Sequence, residues 1–236
     1  MAFLAAFVLS FCPMQQLLLD IRPPAIPDLA HFVVGRNREL MVQLRAMLEG
    51  RAAERMIYLW GAPHCGKTYL LQAWVQACHA CGLPVEVLGQ RGLAADETGQ
   101  RPAQAVIIDH ADDWDAAQQF AAFAAYNRVR EAGGLWLAAG RLPPATLPLI
   151  PELRTRLGWG LVFQVSELND EEKHAALAQH ATSLGFRLEP QVADYLLNHT
   201  PRDMGNLLRV LEALDRLSLE TKRPITLPLV RQLRLP

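Results

Sequence analysis

The chain has almost no net charge. Its 236 residues carry 23 Lys and Arg against 24 Asp and Glu, a formal net charge of −1. That balance argues against a strongly basic nucleic-acid-binding surface, though it leaves room for a local patch. Cysteine is scarce: Cys12, Cys65, Cys78 and Cys81 are the four. Cys78-His79-Ala80-Cys81 is a single C-x-x-C with no second pair at zinc spacing, so helix-face thiols in a reducing cytoplasm are expected rather than a metal or redox module. There is no internal repeat and no low-complexity tract. The apolar segment Met1–Phe11 is too short to span a bilayer. It lacks the Lys or Arg that opens a secretory signal and any clear A-x-A cleavage site. Leu9-Ser10-Phe11-Cys12 places a bulky Phe where a lipoprotein box wants a small residue. Met14 follows at once and is expected to be the true start, with residues 1–13 a mis-assigned extension. The intact mass of the native protein checks this.

What is present is a chain 51% apolar, enough for a sizeable core, and a length suited to one large domain or a domain with a small appendage. The most informative stretch is Gly61-Ala62-Pro63-His64-Cys65-Gly66-Lys67-Thr68, which fits G-x-x-x-x-G-K-[ST], the phosphate-binding P-loop. Met56–Trp60 before it reads as a buried strand, and Tyr69–Trp74 after it reads as a helix, the context the motif needs. The glycines let backbone N–H groups turn toward phosphate oxygens, Lys67 brings charge to the outer phosphates, and Thr68 offers a hydroxyl to Mg²⁺. Cys65, at a helix N-terminus, is either a thiol of lowered pKa open to redox control or a variable loop position facing away from phosphate.

Further strands are predicted at Val85–Leu88, Ala105–Ile108, Leu135–Ala139 and Leu161–Val165. Helical segments at Lys67–Cys81, Asp115–Arg130 and Pro151–Leu157 alternate with them, which implies a parallel sheet covered on both faces. Arg38–Glu49 suits a helix ahead of the first strand. Gln15–Asp28 holds Pro23, Pro24 and Pro27 and should be extended. After Val165 the periodicity turns helical. Asn169 and Glu172 make a capping-box start. Pro190 opens a second helix and Thr200-Pro201 a third, and Thr226 with Pro228 begins a last short one. The organisation expected is an extended arm over 14–30, an α/β nucleotide-binding domain over 31–165 and a helical lid over 166–236.

Val106-Ile107-Ile108-Asp109 ends a buried strand with a carboxylate placed to hold the water shell of Mg²⁺ beside the P-loop. ATPases of this kind follow it with Glu or Asp to orient the attacking water, but here the residue is His110. Asp112 and Asp113 lie further on and cannot be placed from sequence.

Together Phe32-Val33-Val34-Gly35, the P-loop, Ile108-Asp109, Leu153-Arg154-Thr155-Arg156-Leu157 and Pro201-Arg202-Asp203-Met204 resemble an AAA+ module of the bacterial replication-initiator (DnaA) branch, over about residues 30–236. Within that branch the chain is similar to the Hda family of DnaA regulatory inactivators. It ends after the lid with no helix-turn-helix domain, and Arg156-Leu157-Gly158-Trp159-Gly160 resembles that family's R-L-x-W-G. In its arm, Gln16-Leu17-Leu18-Leu19-Asp20-Ile21 resembles the Q-L-x-L-x-Φ peptide that docks on the sliding clamp of DNA polymerase III, with Gln16, Leu17, Leu19 and Ile21 as its anchors. The similar C-terminal Gln232-Leu233-Arg234-Leu235-Pro236 reads instead as a helix face.

The resemblance implies ADP or ATP with Mg²⁺ as cofactors. Phe32, Val33, Val34 and Gly35 would lie against adenine, and Gly61 through Tyr69, with Ala62, Pro63, His64, Cys65, Gly66, Lys67 and Thr68 between, against the phosphates. Thr68 and Asp109 would sit at the metal and Arg202 would be the sensor 2 arginine. Arg156 would be an arginine finger acting on a neighbour's γ-phosphate. The strand Leu135–Ala139 runs into Gly140 and Arg141 with no sensor 1 Asn, Ser or Thr. With His110, that departure implies weak intrinsic hydrolysis. The function implied is negative regulation of replication initiation by a clamp-tethered, cytoplasmic adaptor that stimulates ATP hydrolysis by DnaA, touching DNA mainly through the clamp and no membrane. Monomer or homodimer is left open. The competing readings are an autonomous P-loop ATPase, such as a helicase loader or DnaA-like assembly factor, and a clamp-binding scaffold whose nucleotide is structural.

Overall fold

Strands that are buried on both faces read as continuous apolar runs, and three of the five strands among the described residues of the computed structural model are of that kind, the two edge strands being only partly covered. The structure describes residues 27–88, 104–201 and 203–232. The strands are β1 (Met56–Trp60), β2 (Val85–Leu88), β3 (Ala105–Ile108), β4 (Leu135–Gly140) and β5 (Leu161–Gln164). All pair in parallel, in the order β2-β3-β4-β1-β5. The α/β helices are α1 (Arg38–Leu48), α2 (Lys67–Ala80), α3 (Ala116–Glu131) and α4 (Pro151–Trp159).

Alternate residues of the central strands feed two cores. Ile57, Leu59, Ile107 and Leu137 face Leu40 and Leu44 of α1 and Leu70 and Trp74 of α2. Tyr58, Val106, Ile108 and Trp136 face Ala122 and Tyr126 of α3 and Leu153 and Leu157 of α4. Trp74 and Trp136 are fully buried, and aromatics of that size dominate the energy of a core. Helix α3 begins on a capping box in which Asp115 and Gln118 satisfy each other's backbone N–H.

The lid comprises α5 (Asp170–Leu184), α6 (Pro190–His199), α7 (Met204–Thr221) and α8 (Leu227–Gln232). Leu177, Val192, Leu196, Leu207, Leu211 and Leu214 form its own core. The Asn169–Glu172 box caps α5 as the sequence predicts. The third lid helix starts later than Thr200-Pro201 suggests. The Thr200 hydroxyl donates to Leu196 O at 2.7 Å, finishing α6, while the Asp203 carboxylate accepts from Asn206 N at 2.9 Å and becomes the cap of α7. Among the described residues no helix is long and apolar enough to cross a membrane.

Two polar zips join the parts. Buried Asn37 accepts from Ser166 N at 2.8 Å and donates to Ser166 O at 3.2 Å, and Arg36 donates to Glu167 O at 3.1 Å. The segment that opens α1 is thereby fixed to the strand exit that leads into the lid.

Candidate functional site

In a parallel sheet the carboxyl ends of all strands share one edge, where loops can gather around a ligand. Here the loops after β1, β3 and β4 meet the lid around a cleft of about 1290 Å³. The P-loop leaves β1 at Gly61, whose φ is +157° and whose missing Cβ would lie 2.7 Å from Val165 O. Any larger residue there would force the loop off the strand. Lys67 is nine-tenths buried, and its ammonium donates to Gly61 O and Ala62 O, both at 2.8 Å. Cys65 is buried with its Sγ 3.6 Å from the same ammonium.

Asp109 sits where β3 ends and is 1% exposed. Its Oδ2 accepts from the Thr68 hydroxyl at 2.7 Å and its Oδ1 from His110 N at 2.8 Å. A hydroxyl and a carboxylate paired beside a phosphate loop form a hard-oxygen donor set that suits Mg²⁺ and its waters. The curled loop, its buried Lys and this donor pair fit a magnesium–nucleotide, so Lys67, Thr68 and Asp109 are the residues that could hold one.

His110 takes a left-handed backbone, φ 51°, a conformation that is costly for a residue with a Cβ. The Asp109 carboxylate on its own N–H and a bond from Asp113 N to its carbonyl at 3.0 Å hold it there. Its ring lies 3.6 Å from Asp109 Oδ2 and 3.9 Å from Asp113. The two acids that sequence could not place are both committed elsewhere. Asp112, its side chain 3% exposed, accepts from Arg141 N at 2.7 Å and Leu142 N at 3.3 Å, and Asp113 pairs with the Arg141 guanidinium. Together they pin the turn after β4, the position a sensor 1 residue would occupy. Tyr58 completes the clasp by donating to Leu142 O at 2.9 Å. Burial, and then the nearby Asp112 charge, push its phenol pKa upward, keeping it a donor.

Of the predicted adenine-side residues, Phe32 and Val33 line the cleft, with Phe32 stacked on Tyr69 at 6.2 Å. Val34, like Phe32, is partly buried against the core that α1 and α2 share with the sheet, and it does not line the cleft. Gly35, at φ +45°, lies under the lid: a Cβ there would be 2.6 Å from Glu172 Oε1. From Pro63 to Tyr69 every residue lines the cleft.

The lid supplies a wall that sequence reasoning missed: Lys173 and His180 from α5, and Met204 and Arg209 from α7. His64 of the P-loop lies 4.0 Å from the Asp203 cap of α7. Arg202, its neighbour, is outside the described residues, as are Gln16, Leu17, Leu19 and Ile21.

Arg156 does not line this cleft. It lies on α4, its Cζ 4.0 Å from the Trp159 ring and 5.9 Å from Phe123. A groove of about 310 Å³ runs beside it, between Phe123, Pro151 and Trp159. Among the described residues no carboxylate pairs with Arg156.

Residues 170–233 match the family model of the Hda lid domain. The fold is similar to those of solved DnaA and RuvB structures. Domain III of the Thermotoga maritima replication initiation protein DnaA superposes with a TM-score of 0.73 at 15% identity, over 89% of this chain and 96% of that one. AMPPCP-bound DnaA from Aquifex aeolicus gives 0.66 at 19%, over 83% and 66%. The Thermotoga maritima RuvB branch-migration motor gives 0.60 at 17%, over 83% and 66%.

Proposed function

We propose, from the match of residues 170–233 to the Hda lid domain and the likeness of the fold to domain III of DnaA, that this chain is a negative regulator of chromosome replication initiation. In this reading it binds ADP or ATP with Mg²⁺ in its own cleft, is tethered to the DNA polymerase sliding clamp through Gln16–Ile21, and stimulates ATP hydrolysis by the DnaA initiator in the cytoplasm. The likeness to domain III of DnaA and the lid match support the initiator as the partner.

The observation that carries the reading is the placement of Arg156. It is a guanidinium off its own cleft and held on aromatic faces, without an acid partner among the described residues. Such a group is disposed to receive an anion from another molecule. An arginine supplied in trans to a γ-phosphate is worth about 10³–10⁵ in rate in GTPase systems. The chain's own cleft is poorly equipped for hydrolysis: His110 replaces the water-orienting acid, and Asp112 and Asp113 are spent on the β4 turn. The nucleotide held there is proposed to set the angle between lid and sheet. Clamp tethering raises the local concentration at replicated DNA, so each single contact can be weak.

The test is reconstitution of ATP-loaded initiator, clamp on DNA and this chain. Arg156→Ala is expected to keep nucleotide and clamp binding and to lose stimulation of initiator hydrolysis. Gln16→Ala with Leu19→Ala is expected to lose clamp capture in a pull-down. Rapid ATP turnover by the purified chain alone, unaffected by Arg156→Ala, would mark an autonomous ATPase instead.

A further inference from the structure

Residues three apart on a helix share a face, and α4 uses that spacing to set Arg156 against Trp159. The indole is 53% exposed, yet two guanidiniums lie close to it. Arg156 Cζ is 4.0 Å from the ring centroid and Arg130 Cζ, from the last turns of α3, is 4.9 Å. Phe123, also from α3, has its ring centroid 5.9 Å from Arg156 Cζ. A carboxylate partner would hold Arg156 equally well, but it would neutralise its charge and consume its N–H donors. An aromatic face holds the cation through its π-system and leaves the donors at the guanidinium edge unspent. Holding the side chain also removes rotamer freedom before binding rather than during it.

We propose that Trp159 is the positioning residue for Arg156: it fixes the guanidinium on α4 with its donor edge open to a phosphate held by the partner. This rests on Arg156 acting in trans. Trp159 is not itself a docking contact in this account, and it acts through the arginine alone.

The experiment titrates ATP-loaded initiator with the full chain, in the presence of clamp on DNA, and reads both the saturating hydrolysis rate and the half-saturating concentration. Trp159→Leu keeps apolar bulk and removes the ring face, whereas Trp159→Phe keeps a smaller ring. Trp159→Leu is expected to lower the saturating rate on the order of tenfold, with the half-saturating concentration within about twofold. Trp159→Phe is expected to recover most of that loss. If Phe is no better than Leu, or if either variant shifts only the half-saturating concentration, the positioning role is overturned and Trp159 is packing or docking surface. A wild-type rate for Trp159→Leu beside an inactive Arg156→Ala overturns this inference alone. An active Arg156→Ala removes the trans reading beneath it as well.

Discussion

Lys67 and Arg156 are both cations on helices of the same α/β domain, on opposite faces of its sheet, but the fold handles them differently. Lys67 is buried at the start of α2, and its ammonium is satisfied by Gly61 O and Ala62 O at 2.8 Å. Around it Thr68, Asp109, Asp112 and Arg141 close a set of mutual bonds. Arg156 lies on an open face with two aromatic rings for company and no acid among the described residues. A buried charge must be paired where it stands, because desolvation of a lone ion costs several kcal/mol. A part-exposed guanidinium on an aromatic face is under no such demand. The first arrangement suits a ligand that stays, the second a ligand that arrives on another protein.

The contrast can be broken most sharply at Lys67. Lys67→Ala is expected to cut ATP and ADP affinity by about 100-fold, as befits loss of charge-assisted hydrogen bonds of about 1.5–3 kcal/mol each. Titration calorimetry reads it, and an affinity within threefold of wild type would show that the cleft does not depend on this cation. Asp112→Ala is expected to lower stability by about 2–3 kcal/mol, since it orphans two backbone N–H groups and Arg141. Any residual hydrolysis by the chain should stay unchanged, because the acid serves the β4 turn. Chemical denaturation measures the first effect. A variant of normal stability with altered turnover would move Asp112 from scaffold to chemistry.

The smallest effect concerns the thiols. Cys78 is fully buried on α2, and its pKa is pushed up to about 12 by burial, with Cys81 a lesser cause, whereas Cys81 at the helix end is exposed. Alkylation of the native protein at mildly alkaline pH, mapped by peptide mass, should label Cys81 and spare Cys78. Because the folded pKa lies above the unfolded value of 9.0, the stability that Cys78 contributes is complete below pH 9 and lost as pH rises toward 12. Denaturation midpoints across that window should fall with pH. A flat profile would show that burial of Cys78 does not bear on stability.

Much of this arrangement was legible in the sequence because the central strands of the sheet are buried on both faces. Ile57–Trp60, Val106–Ile108 and Leu135–Ala139 are unbroken apolar runs, and helices alternate between them. The P-loop and Asp109 were legible because their chemistry demands particular residues at fixed spacing. The start of α7 was not, since Thr200 and Asp203 are both competent caps and only the bond from Thr200 to Leu196 O decides between them. Val34 was assigned to the ligand side by motif, and in the structure it is partly buried against the core and off the cleft lining. The role of Asp112 depends on Arg141, 29 residues away, and no local pattern encodes that meeting. The lid wall of Lys173, His180 and Met204 likewise follows from how two separate cores dock.

The central claim is that chemistry occurs on the partner's nucleotide and not on this chain's. It is tested most directly by loading the initiator with ATP labelled at its γ-phosphate, giving this chain unlabelled ADP, and following single-turnover release of labelled phosphate in the presence of clamp on DNA. The account predicts that wild-type chain accelerates release and that Arg156→Ala slows it toward the unstimulated rate, a loss on the order of 10³-fold. Equal acceleration by the Arg156→Ala chain would contradict it.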